Sequence, residues 1–571
     1  MSYYIGPRCS ACHYCFNECP VGAIRFVGSS YSIDEFKCIG CGKCAEVCPA
    51  GIIYDPENPE KVEPHEPQEM NADLVVLGAG GAGLVSAVRY AQKTGKKVIV
   101  LEKSKKVGGN TNLGHGFLMR YTKWHEKAGL KDTRRDFIDQ LYNDTGKVLD
   151  YTMLENATYA LSDMFDWLCE FGGCEEYFEL RKPGDPGVPP GIPFAMIDFP
   201  NRMDNLKCTD TSMGPGWMGT YVVRKMMEEG KKLGVEVYTQ HRAAHLLTDD
   251  SGAFCGVVAE NPGGTVTVHA KKCIIATGGF AHNDAMMEMC NPNFFNGRPV
   301  KRLSVASTTG DAIEMVKELD GQLDFERLRV PAGGPVHHPY DYTVMNLCGF
   351  GAPQVGYDGE IHEFGMGGGG ATGCALDEME GGEVYAIMDI NAVHANGKGL
   401  AERNNDPATQ EAKENYLREL NKEAAYGYGA KKAWTLEGLA EKLNLNPAKF
   451  VAMIDAYNKK VDEENSKPQP EMPPMPGPFG PPPKKVKIET APFYAIANGR
   501  FSESASGGIV TDTYLHVVKN DNTVIPGLYA VGDSCRGLFL KSNENGKFGE
   551  MPWAMASGYL AAQSMAEYTQ S

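Results

Sequence analysis

The sequence predicts an α/β fold, with a parallel-sheet domain preceded by a small separate unit. Two observations carry that prediction. The apolar run Leu74 to Leu77 opens directly into Gly78, Gly80 and Gly83; a helix-like segment follows, then a second apolar run, Lys97 to Leu101, ending in Glu102. Before residue 50, one cysteine pattern occurs twice.

The glycines have the spacing G-x-G-x-x-G between a strand and a helix, with Gly81 inside the same turn. The first glycine makes the turn, the second lets the backbone approach a pyrophosphate, and the third lets helix and strand pack closely. The helix N-terminus then faces the negative phosphates. Glu102 lies at the separation expected of an acid that accepts from an adenosine ribose hydroxyl. The stretch predicts a dinucleotide site, and it does not imply NAD, because FAD uses the same cradle.

Composition bounds the class. The 571 residues suit two or three domains, and 42% hydrophobic content supports a real core. The formal charge of -17 disfavours nucleic acid and anionic membrane surfaces, and it is compatible with a basic redox partner. The N-terminus has no basic region followed by an apolar run, and no stretch approaches the length of a membrane span. The expectation is a cytoplasmic chain. Of 17 cysteines, eight sit in two regular groups, which argues for metal ligation in a reducing compartment rather than disulfides.

Cys9, Cys12, Cys15 and Cys19 precede Pro20; Cys38, Cys41, Cys44 and Cys48 precede Pro49. Each run is C-x2-C-x2-C-x3-C-P. Three close thiolates wrap one face of an iron–sulfur cube, and the fourth reaches across to the other cube. Cys9, Cys12, Cys15 and Cys48 are therefore assigned to one [4Fe-4S] cluster, and Cys38, Cys41, Cys44 and Cys19 to the other. Structural zinc typically needs two C-x2-C pairs rather than triplets. The stretch resembles the bacterial two-cluster ferredoxins over nearly its whole length, which implies a small α+β electron-transfer domain. Residues 55 to 70 are polar and proline-bearing and read as a linker.

Downstream, residues 131 to 170 read as amphipathic helical scaffold. Residues 182 to 219 are irregular, with five prolines from Pro183 to Pro193, and a loop that long is uncommon without a function. Thr220 to Leu233 reads as a helix and Val235 to Thr239 as a strand; a meander then runs to Gly279. A late strand, Asn522 to Asp533, and a helical run, Trp553 to Tyr568, complete the framework.

From about Ala72 onward the chain resembles the FAD-binding flavoprotein family of fumarate reductase and succinate dehydrogenase, whose soluble members include urocanate reductases and whose distant relatives include the 3-ketosteroid dehydrogenases. The matching pieces are GAGGAG at Gly78 to Gly83, GGNT at Gly108 to Thr111, ATGG at Ala276 to Gly279, TTGDA at Thr308 to Ala312, PFYA at Pro492 to Ala495, GGIVTD at Gly507 to Asp512 and IPGLYAVGD at Ile525 to Asp533. The resemblance implies a Rossmann-like FAD-binding domain with an inserted α+β capping domain. The expected limits are 1–54 for the ferredoxin-like domain, 55–71 for the linker, 72–334 and 486–571 for the two parts of the FAD domain, and 335–485 for the cap. Asp406–Pro407 and Asn446–Pro447 read as helix starts in the cap, and residues 467 to 483, with nine prolines, as an exposed stiff loop. The resemblance also implies that Glu102 binds the ribose, that Asp533, after Gly532, contacts the middle of FAD, and that backbone near Ala554 and Met555 lies by the pyrimidine end of the ring. Lys103, Gly109, Asn110, Thr111, Thr277, Gly278 and Asp311 fall in the same matched pieces or beside them. Asn110 stands where membrane-bound relatives carry a flavin-linked histidine, which implies non-covalent FAD.

The family's substrate pattern is altered. Fumarate reductases carry a histidine pair where this chain has Glu503 and Ser504, and no arginine matches their second substrate arginine securely. Arg403 is the nearest candidate for the proton-donating arginine. His337 and His338 precede Pro339, near the place of a family substrate histidine, and Tyr340 and Tyr342 are candidate phenolic donors; the alternative for each is a buried, hydrogen-bonded side chain. Arg500 is a candidate carboxylate anchor through two parallel hydrogen bonds, or a partner for Glu503. The glycine-rich run Gly365 to Gly373 suits a pocket edge and is not a phosphate loop.

The expected function is therefore an FAD- and iron–sulfur-dependent oxidoreductase. It would reduce an activated C=C bond of a small organic substrate, larger or less charged than fumarate. The expected electron source is a low-potential one-electron donor such as ferredoxin or a redox partner subunit. The alternatives are an electron-transfer subunit and a desaturase running in the opposite direction.

Overall fold

Leu74–Leu77 and Val98–Leu101 are buried at every position, as strands covered on both faces must be. Each such side chain contributes about 1.5–3 kcal/mol of apolar burial. They lie at the centre of a six-stranded sheet ordered Glu236–Tyr238, Val98–Leu101, Leu74–Leu77, Cys273–Ile275, Val524–Ala530, His516–Val518. The first five strands are parallel, and the last turns back antiparallel. In chain order the parallel strands read 3-2-1-4-5, so the order reverses between Leu74–Leu77 and Cys273–Ile275. In such sheets, ligands bind outside the carboxyl ends of the strands at that reversal.

The computed structural model describes residues 2–6, 9, 14–27, 30–48, 51–57, 64–114, 121–173, 175, 179–181, 196–198, 218–290, 301–302, 304–325, 332–335, 352–362, 376, 379, 382–394, 416–426, 429–466, 487–502, 505, 507–536, 538 and 550–567. The helix Gly81–Thr94 follows the glycine turn and stops at Gly95, whose φ of 65° lets its N–H bond the carbonyl of Ala91. The C-terminal helix Glu550–Glu567 crosses it closely. A Cβ on Gly558 would stand 2.3 Å from the Ala82 carbonyl oxygen, so that crossing requires glycine. Helices Arg134–Asp144, Tyr151–Glu170 and Met218–Lys232 occupy the regions expected to be helical.

Two expectations change. Residues Gln68–Asn71, expected to be linker, form a strand parallel to Val266–His269 at the edge of the meander Arg242–Thr248, Phe254–Asn261, Gly264–His269. His65 joins this docking: its N–H donates to the Gly263 carbonyl at 2.9 Å. An exposed edge strand needs no apolar alternation, so QEMN gives no periodic signal. Within the stretch expected to be irregular, Met196–Asp198 pairs antiparallel with Glu179–Arg181.

A second sheet is built around Phe493–Ser502, which pairs with Glu383–Asp389, Ala430–Ala433, Ala332–Pro335 and Lys301–Arg302. This strand lies on the C-terminal side of the limit expected at 485, yet its partners include the cap strands. Helices Leu436–Lys442 and Pro447–Asn465 cover the sheet with Leu439, Phe450, Ile454 and Val461. Asn446 starts the second helix as expected, its Oδ1 accepting from the N–H of Lys449 at 3.0 Å. Asp406–Pro407 and residues 467 to 483 lie outside the described residues.

Among the described residues, the N-terminal unit has two short antiparallel ribbons, Tyr4–Ile5 with Ile53–Tyr54 and Ile24–Val27 with Ser30–Ile33, and two short helices, Tyr14–Asn17 and Lys43–Val47. Its small core includes Cys15, Ile24, Tyr31, Cys44, Cys48 and Ile53. Among the described residues, no helix is long and apolar enough to cross a membrane.

Candidate functional site

The carboxyl ends of the parallel strands open into a cleft continuous with solvent. Its place at the sheet's order reversal follows from two turns. Gly78 and Gly80 follow Leu74–Leu77, and Ala276, Thr277 and Gly278 follow Cys273–Ile275; all five line the cleft. Gly78 has φ of 104°, and a Cβ there would stand 2.3 Å from the carbonyl oxygen of Ala276. Gly83 is under the same restriction: its Cβ would lie 2.0 Å from the Gly78 carbonyl oxygen. Those two glycines serve the protein's own packing. Gly80 differs. Its backbone is ordinary extended chain, and an added Cβ would meet nothing nearer than the Gly108 carbonyl at 3.6 Å. A bare backbone lining a cleft without steric demand from the protein fits a close-approaching ligand.

Of the residues singled out from sequence for the cofactor, Gly78, Gly80, Gly81, Glu102, Lys103, Gly109, Asn110, Thr111, Thr277, Gly278, Asp311, Asp533 and Ala554 line the cleft. Gly83, Gly532 and Met555 do not line it. Met555 is fully buried beneath Gly81, and Gly532 packs against Ala82 and Ala554. The helix that points at the cleft has no acidic residue in its first turn and no side-chain cap; the Gly81 N–H donates to Thr111 Oγ1 at 2.9 Å. Its positive end therefore suits an anion.

Glu102 is buried, and its carboxylate accepts from the N–H of Ala79 and of Ser104, both at 2.8 Å. Each oxygen keeps a second lone pair for a ribose hydroxyl. Beside it, Lys103 Nζ donates to Thr309 Oγ1 at 2.6 Å and to Asp311 Oδ2 at 3.0 Å, and Arg242 Nε donates to the same Asp311 oxygen at 3.1 Å. Burial pushes the Asp311 carboxyl up, but Lys103, Thr309 and Arg242 outweigh it and hold the group below the usual carboxylate range. Burial lowers the Lys103 ammonium despite Asp311. Asp311 is therefore ionised at neutral pH, and its charge is what makes the buried lysine tolerable. Asp311→Asn is expected to cost about 3 kcal/mol, since it leaves a cation largely buried without its counter-charge. Because the folded pKa is depressed, this stabilisation is present above about pH 3.9 and is lost as pH falls through the lower folded value. Urea midpoints at pH 7 and pH 3 check both statements, and the variant should lose that part of the acid dependence.

Asn110 Oδ1 accepts from the N–H of Val305 at 2.8 Å, which fixes the carboxamide at the cleft wall. Sequence reasoning did not single out His241, Ala243, Val305, Ser307 or Thr308, which also line the cleft. Ser307 and Thr308 open or precede the TTGDA piece, and His241 comes just after the third parallel strand, so position along the sheet was the available signal. His241 Nδ1 donates to the Thr239 carbonyl at 2.7 Å, and its Nε2 faces Asn261 Nδ2 at 3.1 Å.

In the N-terminal unit, burial pushes the Cys44 thiol up to about 11, and Cys38, Cys41 and Cys19 add to the rise. Those four are the set assigned to one cluster, with Cys19 crossing from the first run. Cys19 Sγ accepts from the Ala23 N–H at 3.2 Å, and Cys38 accepts from the backbone N–H of Gly40 and of Tyr3. Such N–H···S bonds stabilise thiolate and tune cluster potential. Among the described residues, no three metal-ligating side chains close on one point. The fit to iron–sulfur chemistry rests on the all-sulfur donor set and on which sulfurs are neighbours. Cys12 lies outside the described residues, whereas Cys9, Cys15 and Cys48 are buried or half-buried within them.

The substrate candidates are not brought together by the described residues. Arg403, His337, His338, Tyr340, Tyr342, Glu503, Ser504 and Gly365 to Gly373 lie outside them; Arg500 is described only as backbone, paired with Gly333 in the second sheet.

The fold and cleft define a dinucleotide-binding α/β protein with a cysteine-rich electron-transfer unit. The family described as "FAD binding domain" matches residues 73–546, and the chain belongs to it; a "4Fe-4S dicluster domain" matches residues 8–52. An NADH:acrylate oxidoreductase of Vibrio harveyi is 24% identical over 82% of this chain and 48% of its own length. The chain thus spans about half of that curated relative. A vinyl phenol reductase of Lactiplantibacillus plantarum is 24% identical, over 82% of this chain and 90% of its own. The open form of a flavocytochrome c3 fumarate reductase superimposes with a TM-score of 0.63 at 19% identity, covering 88% of this chain and 79% of that one, a likeness of fold.

Proposed function

We propose that the chain is an FAD-dependent oxidoreductase that reduces an activated C=C bond of an organic acceptor larger or less charged than fumarate. The observation that carries the reading is the combination, on one chain, of a cleft suited to FAD and a unit suited to two [4Fe-4S] clusters. The names of the relatives, which include reductases of acrylate and of a vinyl phenol, support the direction of the reaction. When bound, FAD supplies hydride at its N5 and the clusters supply single electrons, drawn from a low-potential one-electron donor such as ferredoxin or a partner subunit.

The chain's own residues hold and polarise the partners. The glycine turn and helix N-terminus take the pyrophosphate, Glu102 the ribose, and Asn110, which offers no nucleophile, leaves the flavin non-covalent. Acid-released flavin in the supernatant checks that last point. Arg500 would anchor one carboxylate or carbonyl, and Arg403, His338 or Tyr340 would donate the proton to the carbon next to the one that receives hydride. Glu503 carries the specificity argument. A small dianion needs two cationic anchors, and an ionised Glu503 repels its second carboxylate at short range. Fumarate is therefore expected to reoxidise pre-reduced holoenzyme at least about tenfold more slowly than the best conjugated monoacid or enone of a stopped-flow panel. Fast reoxidation by fumarate alone would overturn the pocket assignment. The replacement of the family's histidine pair also supports a second reading, an electron-transfer subunit, and reoxidation by a protein acceptor but by no organic acceptor would establish it.

A further inference from the structure

We propose that Asn261 is a positioning residue that couples FAD binding to the docking of the strap, residues 64–71, through which the iron–sulfur unit is attached to the flavin half. The inference rests on FAD filling the cleft and goes beyond the reaction proposed above. Its consequence is that the unit that supplies electrons is strapped down most firmly when the cofactor that takes them is in place.

Asn261 closes the hairpin tip between the meander strands Phe254–Asn261 and Gly264–His269. Its Oδ1 accepts from the N–H of Gly263 at 2.8 Å and of Gly264 at 2.9 Å, which makes that end of the carboxamide the oxygen and the other end the donor. On one flank, Nδ2 donates to His241 Nε2 at 3.1 Å. On the other, His65 Nε2 donates to the same Oδ1 at 2.9 Å. His241 and His65 thus share one partner, although they are far apart in the chain.

The His241 end belongs to the cofactor. His241 lines the cleft, and its N–H donates to the Glu102 carbonyl at 2.8 Å, beside the carboxylate read as the ribose acceptor. Gln240, at φ of 59°, makes the turn that brings it there. A non-glycine residue in the left-handed region carries a conformational cost, which the contacts around it must hold. The His65 end belongs to the strap. An added Cβ on Gly264 would stand 2.9 Å from the His65 carbonyl oxygen and 3.2 Å from its ring, so strap and hairpin tip are in close contact. Farther along, Gln68–Asn71 pairs with Val266–His269, yet three of its four side chains are exposed. Docking that buries little apolar surface has low local stability, so a few-fold change in its equilibrium can be measured. A second hold on the flavin half is Lys106, whose Nζ donates to the Glu46 carbonyl. A nucleotide packed against His241 restrains that ring, the ring restrains Asn261 Nδ2, and the planar carboxamide then holds Oδ1 toward His65. The coupling is reciprocal, so strap docking tightens FAD by the same factor.

The test uses the full chain with its clusters, saturated with FAD and after flavin removal. FAD is expected to slow deuterium uptake across residues 64 to 71 about fivefold. His65→Ala removes a side chain that does not line the cleft. It is expected to abolish that slowing and to raise the FAD Kd about fivefold. His65→Gln, which keeps a side-chain N–H of similar reach, should restore most of both. Asn261→Asp keeps the oxygen that serves the turn and His65 but sets an acceptor opposite His241 Nε2. At about pH 8, where imidazole is ordinarily neutral, it should weaken FAD to the same extent and leave the strap unresponsive to FAD. The double variant should be no worse than either single one. If Asn261→Asp does not fold, the two His65 variants decide alone. Wild-type uptake that ignores FAD, an unchanged FAD Kd in His65→Ala, or effects of His65→Ala and Asn261→Asp that add in full would each overturn the coupling. Failure of the cofactor reading is distinguishable, because it appears as a wild-type chain that neither retains nor takes up FAD.

Discussion

Gly83→Ala is expected to destroy the flavin half, whereas Gly80→Ala is expected to leave it folded and empty of FAD. The two glycines are three residues apart in one turn, and a propensity argument treats them alike. The geometry does not. A Cβ at position 83 would fall 2.0 Å from the carbonyl oxygen of Gly78, a residue whose own N–H is held by the Leu101 carbonyl at 2.7 Å. Relief requires parting helix Gly81–Thr94 from strand Leu74–Leu77, at the centre of the main core, and the expected cost is more than about 3 kcal/mol. At position 80 the added methyl meets nothing within 3.5 Å, so apo stability should change by no more than about 1 kcal/mol. The methyl instead takes up the space in which a pyrophosphate must meet backbone, and FAD content should fall more than about tenfold. Urea unfolding of apoprotein and flavin released per chain separate the two effects. Gly80→Ala protein with full FAD would remove the argument that the bare turn exists for the nucleotide.

Cys44→Ala is expected to have the second large effect, and a selective one. Cys44 is buried, and Cys38, Cys41 and Cys19 lie close enough to act on its charge. Iron should fall from about eight to about four per chain, with FAD retained. Flavin reduction by a one-electron donor should drop on the order of a hundredfold, because no side chain carries low-potential single electrons in place of a cluster. Reoxidation of chemically reduced flavin by an organic acceptor should survive. Equal loss in both assays at constant FAD content would mean that the clusters do not serve as the electron entry.

How much the sequence could reveal follows from the range of the forces involved. The glycine turn, the strand Leu74–Leu77 and the cysteine runs are local: their spacing alone encodes the chemistry. The cleft wall was readable wherever a motif carried it, as with Asn110, Thr277 and Asp533. It was not readable at His241 and Ala243, which reach the cleft because a third strand happens to pair beside Val98–Leu101. Gln68–Asn71 was missed for a related reason, since an edge strand held by backbone hydrogen bonds leaves no pattern in its side chains. The Lys103–Asp311–Arg242 cluster joins residues about 200 and 70 positions apart in the chain, and only the folded structure makes one charge compensate another. The docking of Lys106 on Glu46 belongs to the same class.

The most direct test of the electron path is an anaerobic, electron-counted turnover. Holoenzyme is reduced with a measured, limiting amount of a one-electron donor, then mixed with a conjugated monoacid or enone while flavin and cluster absorbance are followed and the product is quantified. The expected result is reoxidation of both chromophores, with one saturated product molecule formed for every two electrons supplied. Flavin and clusters that stay reduced in the presence of every organic acceptor, or that reoxidise without saturated product, would contradict reduction of a C=C bond by this chain.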